Sequence, residues 1–258
     1  MRLTVHNVGH GSCISLVHEN GNVMLWDCGH SEDNRPSLFL PAQGIRTIHK
    51  LFITNYDEDH ISDLPNLRVT LNIPELTRNR SITTQELHAL KLQSGPISAA
   101  MQSMLDMHSN YIHPVPAPPP DFPRVEISHY YNPYGATYPD TNNISLVTFV
   151  TCGGTKFIIP GDVENKGWLG LLAQPGFITD LSDVSVFIAS HHGRESGYCS
   201  DVFDYCSPDV VVFSDSNIQH ATQEMSSTYA NHARGMQFDG TTRYVVSTRN
   251  DGNLYWDR

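Results

Sequence analysis

The chain has 258 residues, 39% of them hydrophobic, and sets 16 lysines and arginines against 27 aspartates and glutamates, for a formal charge of −11. That length builds one large domain or two small ones, and a single domain of this size buries roughly three quarters of its unfolded surface. Phosphate neutralisation supplies most non-specific affinity for duplex nucleic acid, so an acidic chain without a Lys/Arg run is not expected to bind duplex DNA strongly, and its charge favours a small substrate or a protein partner.

No apolar stretch reaches membrane-spanning length, so no membrane association is expected. Residues 1–6 read as a strand and carry no signal-peptide core. Five cysteines (13, 28, 152, 199 and 206) form no C-x-x-C pair, which fits a reducing cytoplasm better than a disulfide framework.

In chain order, strands are expected at 3–7, 14–19, 23–27 and 47–54, with a hairpin turn at Gly21-Asn22. Residues 84–107 carry Leu87, Leu90, Leu92, Ile97, Met101, Met104, Leu105 and Met107 in a helical pattern interrupted by Gly95-Pro96. Such a methionine-rich stripe reads as core packing or a lid over the sheet. Six prolines within 114–123 make a stiff extended connector, or alternatively a ligand for an aromatic-lined groove. The 84–123 region is accordingly the candidate surface for a protein partner. Strands return at 125–128, 145–150, 155–159, 184–189, 210–213, 244–247 and 253–256, and helices are expected at 165–173, 200–205 and 222–233.

Several apolar runs end in polar clusters. Leu51-Phe52-Ile53 leads into Thr54-Asn55-Tyr56-Asp57-Glu58-Asp59-His60, which packs Asp57, Asp59 and His60 into four residues. Side chains this dense repel or desolvate one another unless a cation binds them, and a divalent metal is the usual answer. Taken alone, the segment also reads as a solvated polar loop. Three further strands deliver Asp27-Cys28-Gly29-His30, Gly161-Asp162-Val163-Glu164 and Ser190-His191-His192-Gly193 at their ends. Strand ends of this kind bring ligands from distant sequence to one site.

The ordered set VGHGSC, WDCG, TNYDEDH, NNISLV, IIPGDVE and SHHG resembles the metallo-β-lactamase superfamily. Within it the chain is similar to the branch that contains the C-terminal domain of the ComEC competence protein, as a free-standing soluble relative. The resemblance runs from about Val5 to the C-terminus, interrupted near 68–130. It implies an α/β (α+β) fold, a four-layer αβ/βα sandwich. A single domain would span 1–258, with a variable helical and Pro-rich insertion at about 68–124.

By the resemblance, Asn55 and Asp57 stand at the first two positions of the H-x-H-x-D-H signature and serve one metal. Asp59 and His60 serve the other, and Asp162 bridges the two. The SHHG cluster supplies a last histidine: His191 is favoured because it follows the strand directly, which leaves His192 for substrate. No histidine matches the remaining ligand position. Asn142-Asn143 stands there, with Asn143 as a weak ligand. Asp27 matches the aspartate that orients the histidine-rich loop, and His10 lies in a glycine-flanked turn that can touch the site. His220 is a candidate substrate-side or proton-donor group, with a surface-loop histidine as the alternative.

Asp59, His60, Asp162 and His191 form a complete four-ligand set, whereas the other position has only Asp57, the shared Asp162 and neutral amides. Carboxamide oxygens bind Zn²⁺ poorly, so one firm divalent site and a weaker second one are expected, holding Zn²⁺ or Mn²⁺. A metal with an open position lowers the pKa of bound water and supplies hydroxide as nucleophile, with Asp59 or Asp57 orienting the water or accepting its proton. The expected function is metal-dependent hydrolysis. By resemblance it is phosphodiesterase or nuclease chemistry on a nucleotide or a short or single-stranded nucleic acid. Alternatives are hydrolysis of a lactone, thioester or phosphocholine ester on the same ligands, or a catalytically degenerate metal-binding module, marked by Asn55, with a regulatory or partner-binding role.

Overall fold

A computed structural model describes residues 1–113, 118–218 and 220–257, and in it the apolar runs pair into two six-stranded sheets. The strands are β1 (Arg2–Val5), β2 (Ile14–Val17), β3 (Val23–Trp26), β4 (Lys50–Phe52), β5 (Leu76–Thr77), β6 (Val125–Tyr130), β7 (Val147–Cys152), β8 (Thr155–Ile159), β9 (Val186–Ile188), β10 (Val210–Phe213), β11 (Met236–Phe238), β12 (Thr241–Arg243), β13 (Val245–Ser247) and β14 (Leu254–Asp257). One sheet has the order β14-β1-β2-β3-β4-β5 and the other β13-β10-β9-β8-β7-β6, while β11 and β12 pair separately. The helices are α1 (Pro36–Ala42), α2 (Glu58–Ile61), α3 (Leu64–Thr70), α4 (Thr84–Leu92), α5 (Ala99–Asn110), α6 (Asn165–Leu172), α7 (Phe177–Ser182), α8 (Ser226–Ala230) and α9 (Thr248–Asp251).

Burial explains why these segments are strands. β3 (Val-Met-Leu-Trp) and β10 (Val-Val-Val-Phe) are buried along their whole length, as continuous apolar runs must be when both faces of a sheet are covered. β14, at a sheet edge, reads Leu-Tyr-Trp-Asp and alternates buried with exposed, the period of a strand with one wet face.

One core lies between the sheets, where Leu16, Trp26 and Phe52 meet Leu146, Phe157 and Val212. A second core joins Leu51 to Leu40, Leu64, Leu67, Leu87 and Met104 from the helices over the first sheet. A third joins Phe187 and Val211 to Trp168, Phe177 and Tyr229 over the second. The layers run helix, sheet, sheet, helix, which is the αβ/βα sandwich the motifs imply.

Strand direction positions the site. β3 runs parallel to β4, and β8, β9 and β10 are parallel to one another. Their C-terminal ends therefore lie together along one edge of each sheet, where open α/β sheets place their ligands. The Leu146 amide donates to the Thr54 carbonyl at 2.8 Å and fastens the two edges to each other.

The methionine-rich stripe is core: Met101, Met104 and Met107 are all buried on α5. Its interruption is wider than a Gly-Pro kink, because α4 ends at Leu92 and α5 starts afresh at a Ser98 cap, whose hydroxyl accepts from Met101 N at 3.0 Å. The strand expected over 47–54 pairs only as β4, with Thr47 in a lone bridge to Asn72. The helix expected at 200–205 is a 3-10 turn, Ser200–Asp204, and that at 222–233 shortens to α8 behind another turn, Ala221–Gln223. Helix α1 escapes a sequence reading because Pro36 opens it and Pro41 lies inside its seven residues, and prolines there read as loop. Of the Pro-rich connector, residues 114–117 lie outside the described residues, and Phe122 packs into the core between the sheets. All five cysteines are buried. Among the described residues no helix is long and apolar enough to cross a membrane.

The start of α4 carries a capping box in which Thr83 Oγ1 accepts from Glu86 N and Glu86 Oε2 accepts from Thr83 N at 2.8 Å. Thr83→Ala should lower the unfolding free energy by about 1 kcal/mol and reduce amide hydrogen-exchange protection within α4 alone. Unchanged protection there would show that the box does not hold the helix.

Candidate metal centre

The centre is built outward from Asp27, which follows β3 in the left-handed region with φ 58° and is fully buried. Its Oδ1 accepts the Thr54 amide at 2.7 Å, and its Oδ2 accepts the Thr54 hydroxyl and faces His60 Nδ1 at 2.8 Å. A buried carboxylate is costly unless it is paired and hydrogen-bonded, and here every bond is spent on the loop after β4. That loop enters α2, which carries Asp59 and His60. Two backbone contacts press α2 against the strands: Ser12 N donates to the Asp59 carbonyl at 3.1 Å and Cys28 N to the His60 carbonyl at 2.8 Å. Gly29 lies so close that an added Cβ would collide with the Asp59 carbonyl and the Ser12 backbone. Only glycine permits that approach.

The second sheet supplies the other side. Asp162 follows β8, and its amide donates to Ser145 Oγ at 3.2 Å. After β9 the chain turns through Ser190–Gly193 with His191 (φ 52°, ψ 45°) and His192 (φ 57°, ψ 24°) both left-handed, followed by Gly193 at φ 78°. Non-glycine residues there cost on the order of 1 kcal/mol or more each and persist only where surrounding bonds hold them. Ser190 Oγ donates to the Val163 carbonyl at 2.6 Å and His191 N to the Gly161 carbonyl at 3.1 Å.

This turn decides which histidine enters the cluster. His192 is buried, its Nδ1 meets the Ser214 carbonyl at 2.8 Å, and its Nε2 lies 3.0 Å from Asp59 Oδ2 and 3.7 Å from Asp162 Oδ1. His60 Nε2 lies 3.0 Å from Asp162 Oδ1. One ligand atom from each of Asp59, His60, Asp162 and His192 falls within 4.8 Å of all the others. Tetrahedral bonds of 2.0–2.2 Å would set such atoms ~3.4 Å apart. Both Nε2 atoms are buried without an aligned hydrogen bond, while both Nδ1 atoms are committed, to a carboxylate and to a carbonyl. Outer bonds of that kind fix a ligating imidazole with its lone pair inward. The residues present therefore fit a divalent cation, and two imidazoles with two carboxylates suit Zn²⁺ or Mn²⁺.

Burial alone would push His60 down, but the Asp162 and Asp27 carboxylates raise it well above its ordinary value. His192 is raised against its burial by Asp162 and Asp59. Asp59 and Asp162, though desolvated, are held below the usual carboxylate range by the histidines facing them.

The remaining candidates fall into two groups. His191 flanks the cluster: its Nε2 is 4.0 Å from the other oxygen of Asp162, and its Nδ1 meets Ser196 Oγ at 2.9 Å and Glu164 Oε1 at 3.4 Å. His10 also borders it, with Nε2 3.5 Å from Asp59 Oδ2 and its ring 4.6 Å from that of His192. Burial and the neighbouring His192 push His10 down to about 4. Asp57 lies outside the four-residue set, its Oδ1 taken by Lys91 Nζ at 2.6 Å and Thr141 Oγ1 at 2.9 Å. Asn55 Nδ2 donates to Asn142 Oδ1 at 2.9 Å, which places Asn142 rather than Asn143 beside it. Asn143 instead accepts from Gly167 N at 2.7 Å and donates to Asp140. His220 is exposed and caps the turn Ala221–Gln223.

Sequence reasoning missed Arg194, whose Nη2 donates to His10 Nε2 at 3.2 Å. It directly follows the SHHG motif, so the signal was adjacency alone. It also missed Lys91, for which no local signal exists.

A family model described as the metallo-beta-lactamase superfamily matches residues 6–186. The structure is similar to that of YhfI, a metallo-beta-lactamase fold protein from Bacillus subtilis, at 12% identity over 99% of this chain and 98% of that one, with a TM-score of 0.54. It is similar to Zn²⁺-bound PqqB from Methylobacterium extorquens, at 12% identity over 100% of both chains and a TM-score of 0.53. It is also similar to Igni18, a metallo hydrolase from the archaeon Ignicoccus hospitalis, at 15% identity over 100% of both chains and a TM-score of 0.51. At such identities the likeness is one of fold. No curated protein matches the sequence.

Two predictions arise from this geometry. His192→Ala should weaken Zn²⁺ or Mn²⁺ binding by at least about 100-fold, whereas His191→Ala should change it by less than about 10-fold; calorimetric titration distinguishes them, and the reverse ranking would contradict the placement. Because the facing carboxylates raise His60 and His192, protons compete with a cation for these imidazoles, so affinity should climb with pH and protons should be released on binding. Titrations in two buffers of different ionisation enthalpy at neutral pH measure that release, and a net release of zero would contradict it.

Proposed function

Since the chain belongs to the metallo-beta-lactamase superfamily by the match over residues 6–186, we propose that it is a metal-dependent hydrolase of phosphodiesters in a nucleotide or a short or single-stranded nucleic acid. One observation carries the reading: His60 Nε2 and His192 Nε2, both buried and neither in an aligned hydrogen bond, converge with Asp59 and Asp162 on one point. A divalent cation held by these four residues would supply Lewis-acid polarisation and lower the pKa of water.

The chain's own residues divide the remaining work. Asp27 and the Ser214 carbonyl hold the two imidazoles in their orientation. The Asp59 side chain is 24% exposed, against 1% for His60 and 4% for Asp162 and His192. Substrate and water therefore approach over Asp59, which is placed to orient the attacking water. Arg194 lies on the same side through His10, and its planar, permanently charged guanidinium suits phosphoryl oxygens better than the carbonyl of a neutral ester. His10, held neutral, keeps the guanidinium in place without adding charge. A net charge of −11 works against long duplexes, which leaves small or single-stranded substrates.

With Mn²⁺ or Zn²⁺ supplied, bis(p-nitrophenyl) phosphate and a short single-stranded oligonucleotide should both be cleaved. Asp162→Asn should lower kcat/KM by at least about 100-fold, and Arg194→Ala should raise KM for the phosphodiester while sparing metal content. Turnover of a lactone or thioester probe with none of either phosphodiester would refute the substrate class.

A further inference from the structure

Asp57, Asn55 and Asn142 are the side chains that would have to hold a second cation beside Asp162, and each is already engaged. Asp57 Oδ1 receives Lys91 Nζ at 2.6 Å and Thr141 Oγ1 at 2.9 Å. Asn55 Oδ1 accepts the Asp57 amide at 2.8 Å, and its Nδ2 donates to Asn142 Oδ1 at 2.9 Å and to Ser145 Oγ at 3.3 Å. Asn142 Nδ2 in turn donates to Glu164 Oε1 at 3.3 Å. Both amide oxygens thus accept an N–H bond, and the one carboxylate faces an ammonium. Ser145 Oγ, which also receives the Asp162 amide at 3.2 Å, joins this group directly to the metal centre. A second divalent cation fits poorly here: beside Asp162 it would meet a carboxylate already facing an ammonium and two neutral amides that each already accept an N–H bond, while Glu164, the other carboxylate nearby, is taken by Asn142 and lies 3.4 Å from His191 Nδ1.

We infer that Lys91 stands in the place of a second metal, so that the centre is mononuclear and its second positive charge is an ammonium delivered by α4. The inference rests on the hydrolase reading of Asp59, His60, Asp162 and His192. Three features separate Lys91 from an ordinary surface ion pair, which is worth little. Its side chain is only 19% exposed. It is one of two donors converging on a single carboxylate oxygen, and the backbone amide of the same residue continues by hydrogen bonds through Asn55 and Ser145 to the backbone amide of Asp162. The neighbouring helix is also held to the site, since Ser98, the N-cap of α5, donates its hydroxyl to Glu58 Oε2 on α2 at 2.7 Å. The α4 insertion is therefore part of the centre. Local pairing agrees: Lys91 takes Asp57 at 2.6 Å, which leaves Asp59 and Asp162 to face one divalent ion. Being covalently tethered to α4, an ammonium cannot be lost to dilution or chelation, so the second charge is present at all metal concentrations.

Mn²⁺ alone is the probe, read by elemental analysis and electron paramagnetic resonance on the intact wild-type chain, Lys91→Met, Lys91→Arg and Asp162→Asn. Wild type and Lys91→Arg should bind one equivalent with the spectrum of an isolated ion. Lys91→Met, which frees Asp57 while keeping a stem of similar length, should gain a second equivalent at least about 10-fold more tightly than wild type, with spin coupling between the two ions. Two equivalents in wild type, or one in Lys91→Met, would overturn the role of Lys91 and leave the hydrolase reading standing. No Mn²⁺ in any of the chains, or undiminished binding in Asp162→Asn, would instead remove the metal centre itself.

Discussion

A single buried carboxylate, Asp27, organises the centre. With no exposure and a left-handed backbone, it is affordable only while Thr54 and His60 bond to it, and an uncompensated buried charge costs several kcal/mol. Those bonds tie the end of β3 to the loop after β4 and aim the His60 imidazole inward. The close approach of Gly29 to the Asp59 carbonyl then sets the height of α2. One constraint thereby fixes two of the four donors.

The other two depend on the parallel strands of the second sheet. β8, β9 and β10 end at the same edge, so Asp162, His192 and the Ser214 carbonyl arrive together from points well separated in sequence. Strain and donor geometry are linked here, since the two left-handed histidines are what turn His192 inward and leave His191 at the flank. Charge follows the same economy. Two carboxylates and two imidazoles call for one divalent ion, and the adjoining carboxylate, Asp57, has already been matched by a lysine.

Much of this was legible in the sequence because the motifs sit where apolar runs stop. Asp59, His60 and Asp162 emerged together, as did the layered fold and the burial of the methionine stripe. The sequence favours His191 while the structure brings His192 into the cluster, for a physical reason: strand alternation says nothing once two successive residues adopt positive φ, which no propensity marks for histidine. Asn142 and Asn143 were confused similarly, because the turn gives Asn143 to Asp140 and Gly167 and leaves its neighbour for Asn55. Lys91 was invisible, since a lysine on an amphipathic helix looks like any solvated residue until tertiary packing brings it to a carboxylate 34 residues away.

The most direct test of the centre is a crystal of the protein soaked with Zn²⁺ and measured on both sides of the zinc absorption edge. The account predicts one anomalous peak, about 2.0–2.2 Å from His60 Nε2, His192 Nε2 and the carboxylates of Asp59 and Asp162. A peak held by His191 in place of His192, or no peak within reach of these four residues, would contradict it.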